Sequence, residues 1–261
     1  MTITYRGTTA LITGASSGLG EQFAIQFASR GANVVLVARR EDRLRELADR
    51  LERGHGITAT VIALDLGRAD AAAELVRTLE DRGIGIHSLI NNAGFGMKGA
   101  FVESDTERVT EMLQLNVCTL VALTRALLPE LVKAGTGAVV NIASNGAYQP
   151  CPNMAVYGAT KAFVLSFSEA LSYETRDSGL TVLAVSPGAT TTEFFDVLGQ
   201  RGYAMATYET SEQVVTRTLH QLDRAHTPPS FVSGRTNAIA ARIAGLMPRR
   251  LALAMAGRAL A

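Results

Sequence analysis

Tyr157 and Lys161 stand four residues apart in the run Tyr157-Gly158-Ala159-Thr160-Lys161. On a helix this spacing places both side chains on one face, one turn above each other. A phenol by itself titrates near roughly 10, too high to exchange protons usefully at neutral pH. An ammonium held beside it stabilises the phenolate and brings the group toward the working range, so the pair can act as an acid/base unit. The same spacing also arises on ordinary amphipathic helices, where it carries no chemistry. What decides is whether the rest of the chain builds a site around it.

Ser144 precedes Tyr157 by thirteen positions and follows the apolar run Ala138-Val139-Val140-Asn141-Ile142. In an α/β sheet the carboxyl ends of the strands form the ligand crevice, so a serine there faces it. A nucleophilic serine would need a histidine base and an acid. The four histidines, His55, His87, His220 and His226, include none beside a convincing strand-end site, which argues against hydrolysis. Asn116, in Leu115-Asn116-Val117, falls inside a long helical pattern where asparagine is unfavourable by propensity, and so invites an explanation. Cys118 and Cys151 lack metal-type spacing, so no metal site is expected, and two cysteines make no disulfide framework.

The elements that must position these residues read as short apolar runs alternating with helical periods. Strands are expected at Thr8 to Thr13, Asn33 to Ala38, Thr58 to Leu64, His87 to Asn91, Ala138 to Ile142, Leu180 to Val185 and, last and short, Ser230 to Val232. Helices are expected at about Gly18 to Arg30, Glu41 to Arg53, Ala69 to Arg82, Asp105 to Lys133, Ala155 to Asp177 and Ser211 to Arg224. Near-continuous apolar strands alternating with helices predict an α/β, Rossmann-type doubly wound parallel sheet with helices on both faces. No linker or composition shift divides the first ~190 residues, and a single domain over 1–261 is expected, with an aperiodic flap at about 190–208.

Hydrophobic residues make up 47% and charged residues 19%, a globular balance, and the net charge of +1 gives no electrostatic case for nucleic acid. A basic region followed by an apolar signal core is not found at the start, and the expected location is a reducing cytoplasm. No uninterrupted apolar stretch reaches the ~18 residues of a membrane span. After Asp223 no acid appears, while Arg235, Arg242, Arg249, Arg250 and Arg258 remain. This apolar, basic segment at about 234–261 could touch an anionic membrane surface, cover a pocket rim or form a subunit contact.

Between the first strand and the first helix lies Thr13-Gly14-Ala15-Ser16-Ser17-Gly18-Leu19-Gly20. Glycines there let the backbone turn tightly and approach a ligand, and the helix start offers N–H groups to a pyrophosphate. An acid about 20 residues past the loop would suit the ribose hydroxyls of NAD. Ala38 occupies that place and Arg39-Arg40 follow, a guanidinium pair suited to a 2′-phosphate. NADP(H) is therefore expected over NAD(H).

The Gly-x-x-x-Gly-x-Gly spacing, with Ser144, Tyr157 and Lys161 in order behind it, resembles the short-chain dehydrogenase/reductase family over residues 8 to about 194. The resemblance implies an oxidoreductase that interconverts a ketone or aldehyde and an alcohol by hydride transfer. It assigns Gly14, Ser16, Ser17, Gly18, Leu19 and Gly20 to the cofactor, and Asp65-Leu66 to its adenine. Asn92, Ala93 and Gly94 would line the cleft, and Pro187, Gly188, Thr190 and Thr192 would approach the nicotinamide. Ser144 would hold the substrate oxygen and Tyr157 would exchange its proton. Lys161 would support the tyrosine and the nicotinamide ribose, with Asn116 continuing a proton relay through water. Phe95, Tyr148, Met154, Phe194 and Phe195 would make the substrate end apolar, suiting a ketone or alcohol with hydrophobic bulk. The helix of Tyr157 is apolar round most of its circumference, which together with the resemblance predicts a homodimer or homotetramer. The alternative from another class is a dinucleotide-binding regulator without turnover.

Overall fold

The computed structural model describes residues 3–191, 193 and 209–260, with 259 and 260 as backbone only. Strands β1 (Thr9–Thr13), β2 (Asn33–Ala38), β3 (Ala59–Ala63), β4 (Ser88–Asn91), β5 (Ala138–Ile142) and β6 (Thr181–Ser186) are all parallel. Two short strands, β7 (Thr190–Thr191) and β8 (Glu209–Thr210), pair with each other, and β9 (Ser230–Val232) joins the main sheet beside β6. The order β3-β2-β1-β4-β5-β6-β9 reverses direction between β1 and β4, and in such sheets the crevice at the carboxyl end of this switch point takes the ligand.

Both faces of the sheet are covered, which is why its strands read as unbroken apolar runs. Alternate residues separate cleanly: Ile12, Leu36 and Val140 face one core, Leu11, Val35 and Val139 the other. The first core is closed by helices α1 (Gly18–Ala28) and α2 (Glu41–His55), with Phe23, Phe27, Leu44 and Leu51 fully buried. The second is closed chiefly by α3 (Ala71–Asp81) and by the long helix after β4.

That long helix departs from the regular one expected. It runs as α4 (Thr106–Leu113), a π-helical turn over Gln114–Thr119, and α5 (Leu120–Ala134). By length and composition it could cross a membrane, but Leu123, Leu127 and Leu131 are buried in the second core. Helix α6 (Ala155–Glu174) packs beside it, followed by α7 (Ser211–Leu222), α8 (Arg235–Leu246) and α9 (Arg249–Leu260).

A buried polar chain ties the central strands to these helices. Asn91 Nδ2 donates to Thr124 Oγ1 at 3.0 Å and to Asn141 Oδ1 at 2.8 Å, and Asn141 Nδ2 donates to Ser168 Oγ at 2.9 Å. Paired in this way, the amides avoid the penalty of unsatisfied burial and fix β4, β5, α5 and α6 in one register. The strand ends that carry the site are thereby held rigid.

Candidate active site

The loop between β1 and α1 is braced from β4. Asn92 Nδ2 donates to the Thr13 and Gly14 carbonyls at 2.9 and 3.3 Å, while the Asn92 and Ala93 N–H groups both reach Thr13 Oγ1 at 3.0 Å. Gly20 has no room for a side chain: a Cβ there would lie 2.2 Å from the Gly14 carbonyl oxygen. Helix α1 can therefore start directly against the loop. Its N-cap residue, Ser17, makes no side-chain hydrogen bond to the first turn, so the N–H groups at this end remain available to an anion.

Arg40 closes over the same place. Its guanidinium donates to Ser16 Oγ at 3.0 Å, to Ser17 Oγ at 2.9 Å and to Glu193 at 2.9 Å. Arg43 donates to the other oxygen of Glu193 at 2.6 Å. These bonds, Arg43 first and then Arg40, hold the Glu193 carboxyl down to about 2. Two guanidiniums thus converge on a carboxylate beside the glycine loop, a pairing that shows what geometry of anion they can accept.

Across the cleft, Ser144 opens the short turn after β5 as the N-cap of Asn145–Ala147, with Oγ accepting the Gly146 N–H at 3.1 Å. Lys161 lies on α6 and is only 7% exposed. Its Nζ donates to the Ile142 carbonyl at 2.7 Å and sits 5.8 Å from the Tyr157 ring centroid. Burial lowers its pKa to about 8, which leaves the ammonium protonated at neutral pH. Behind it, in the π turn, the Asn116 side chain is buried. Its Oδ1 accepts the Phe95 N–H at 3.1 Å, and its Nδ2 donates to the Phe95 carbonyl at 2.9 Å and to Thr160 Oγ1 at 3.2 Å. A Cβ at Gly94 would stand 2.9 Å from Asn116 Oδ1 and 3.6 Å from Lys161 Nζ, so the three residues meet at one point.

The sequence matches the short chain dehydrogenase family over residues 8–202, three quarters of the chain. The chain belongs to the short-chain dehydrogenase family. A short chain dehydrogenase of Pseudocercospora fijiensis is 35% identical over 190 residues, 72% of this chain and 61% of that relative's own length. Among solved structures, a short-chain dehydrogenase from Sphingobium yanoikuyae in complex with NADPH is 38% identical, with a TM-score of 0.81 over 92% of this chain and 94% of its own. The bulky-bulky ketone specific alcohol dehydrogenase from Comamonas testosteroni is 36% identical, with a TM-score of 0.76 over 92% of this chain and 93% of its own.

The short-chain dehydrogenase cleft of this chain encloses about 840 Å³. It gathers Gly14, Ser16, Ser17, Gly18, Leu19, Arg39, Arg40, Asp65, Leu66, Asn92, Ala93 and Gly94 with Phe95, Ser144, Met154, Tyr157, Lys161, Pro187, Gly188 and Thr190. Among the described residues no histidine lines it. Gly20 and Asn116 stand behind this lining and act as supports. Tyr148 does not line the cleft as expected; it is half-buried and packs on the cluster of Leu120, Ala143, Val164, Leu165 and Ala184. Thr192, Phe194, Phe195 and most of the expected flap lie outside the described residues.

Sequence reasoning missed Arg108, Cys151, Glu193 and Asn237, which also line the cleft, and Arg43, which shares Glu193 with Arg40. Arg43 had a readable signal, since it stands one helical turn past Arg39-Arg40. Arg108, whose guanidinium lies 4.1 Å over the Phe95 ring, had none. A dinucleotide fits what is present. The uncapped α1 terminus and Arg40 offer donors to its phosphates. Asn145 Oδ1, buried in the cleft wall without a partner among the described residues, is an acceptor left for a ligand's donor.

Proposed function

We propose that this protein is an NADP(H)-dependent oxidoreductase that interconverts a ketone or aldehyde and an alcohol, on a substrate with hydrophobic bulk. One observation carries the reading. The buried Lys161 ammonium lies beside the Tyr157 ring in the same cleft whose other end presents Arg40 and an uncapped helix terminus. A cofactor held by its phosphates at α1 would bring its far end toward Tyr157. When bound, NADPH supplies the hydride. Ser144 Oγ holds the substrate oxygen, and Tyr157 gives that oxygen a proton in reduction or takes one in oxidation. Lys161 favours the phenolate and fixes the ribose, and its carbonyl partner at Ile142 keeps the ammonium from swinging away. Asn116 acts at one remove: its side chain clamps the Phe95 backbone and Thr160, so any water relay behind Lys161 would have to draw on its main chain. The likeness to the NADPH complex and to the ketone-specific alcohol dehydrogenase supports the cofactor and substrate class.

The test is NADPH absorbance against a panel of bulky ketones, repeated with NADH. NADPH is expected to be preferred. Arg40→Ser should lose about 1.5–3 kcal/mol of NADPH binding, the scale of a hydrogen bond to a charged group, with NADH affected less. Equal losses with both cofactors would remove Arg40 from the 2′-phosphate, and no turnover of any ketone or alcohol with either cofactor would overturn the reading.

Self-association is proposed through α6 and its neighbour α4. Phe163 is exposed on α6, stacked on Phe167 at 5.9 Å, and Leu113 is exposed on α4. Light scattering should give a dimer or tetramer that Phe163→Asp converts to monomer. A monomeric wild type at micromolar concentration refutes this.

A further inference from the structure

Helices α8 and α9 bury the wrong residues for helices that merely cover a core. Ala241 of α8 and Ala252 and Ala256 of α9 face inward, while Ile239, Ile243, Leu246, Leu251, Leu253 and Met255 are exposed, Leu246 by 87%. A helix packed only on its own protein turns its large apolar side chains toward that protein. Here the small residues dock and the large ones are presented outward.

The charge is equally one-sided. Residues 224–261 hold six arginines and no acid, in a chain whose net charge is +1, so the remainder is net negative. We propose that α8 and α9 form a docking surface for an anionic lipid bilayer. Each helix has 12 residues, about 18 Å of length, well short of a bilayer core. Met247 is extended and Pro248 follows it, so the two cannot merge into one span. What remains is a helix pair lying in the interface, apolar side chains in the acyl boundary and arginines at the headgroups. The net negative remainder of the chain would be repelled from the same surface, which orients the molecule tail-first. A second copy of the chain is the weaker occupant. A two-fold contact through this face would set five arginines against five.

The position gives the surface a use. Asn237 of α8 lines the cleft, and Gly257 of α9 comes against Pro152, where a Cβ would be 3.8 Å from its Cγ; Cys151 beside it also lines the cleft. The docking surface therefore borders the cleft mouth, and a ketone dissolved in the bilayer would have a short path in. This last point rests on the proposed oxidoreductase reading; the docking itself does not.

The full chain should float with phosphatidylcholine vesicles containing phosphatidylglycerol and stay behind with phosphatidylcholine alone. Arg249→Gln with Arg250→Gln should weaken partitioning ~25-fold, at about fivefold per arginine near an anionic surface. Leu246→Ser with Leu251→Ser should lose flotation with the melting temperature unchanged. No flotation with anionic vesicles, or flotation indifferent to both variant pairs, overturns the proposal. So does light scattering that shows a wild-type oligomer dissociated by the leucine pair, because the face would then be a subunit contact. None of these readouts involves turnover, so they fail or succeed apart from the assigned reaction.

Discussion

Tyr157→Phe is expected to lower kcat by about 10²–10⁴-fold, the range general acid–base catalysis contributes, with NADPH binding close to that of wild type. The substitution removes one oxygen from α6 and leaves the ring beside Lys161. Because the proposed phosphate contacts are to α1 and Arg40 and not to the Tyr157 hydroxyl, the cofactor should keep most of its contacts. NADPH fluorescence titration and single-turnover reduction separate the two quantities, and a loss in the chemical step with binding retained is the signature of a group that moves a proton. Ser144→Ala should fall less steeply, since it removes one hydrogen bond to the substrate oxygen and no proton donor. Wild-type turnover in Tyr157→Phe would take the phenol out of the reaction and, with it, the role assigned to Lys161.

The legible part of this site was set by backbone chemistry. A parallel sheet covered on both faces needs unbroken apolar strands, and a phosphate-binding turn needs glycines where Gly14 and Gly20 stand; both leave their mark in the sequence. The doubly wound parallel sheet and the meeting of Ser144, Tyr157 and Lys161 in one cleft could be anticipated from those marks and the family resemblance. Other features were decided by tertiary contacts that no local pattern records. The π turn at Gln114–Thr119 inserts Asn116 between Phe95 and Thr160, and a regular 3.6-residue period cannot announce it. Tyr148 has the composition of a pocket residue, yet it packs on the buried cluster that includes Leu120 and Val164. The Asn91–Asn141–Ser168 chain looks like three unrelated polar residues until β4, β5 and α6 are brought together. Glu193 lies 153 positions from Arg40, a separation over which charge pairing has no sequence signature.

Lys161→Met should uncouple stability from activity. On the proposed mechanism, turnover is expected to fall about 10²-fold with loss of the ammonium assigned to stabilise developing charge on Tyr157. The fold responds differently because the buried ammonium is a burden to it. Burial lowers the Lys161 pKa from its ordinary 10.5 to about 8, a difference worth about 3 kcal/mol between the two protonation states. Below about pH 8 the proton is bound in both the folded and unfolded chains, and the fold carries the full penalty. From about pH 8 to 10.5 the unfolded chain still binds the proton while the folded chain has released it, so stability rises with pH. Above that range both forms are neutral and the penalty is gone. Methionine has no such titration, although it leaves the Ile142 carbonyl without the lysine's hydrogen bond, a loss of about 1–3 kcal/mol at every pH. The stability of wild type relative to Lys161→Met should therefore increase by about 3 kcal/mol between neutral pH and pH 10.5, read from urea denaturation of both proteins. Every other titrating group is shared and cancels in the difference. A difference that stays flat across that window would mean that the lysine is solvated in the folded protein, and the buried ammonium could no longer be what holds Tyr157 ready.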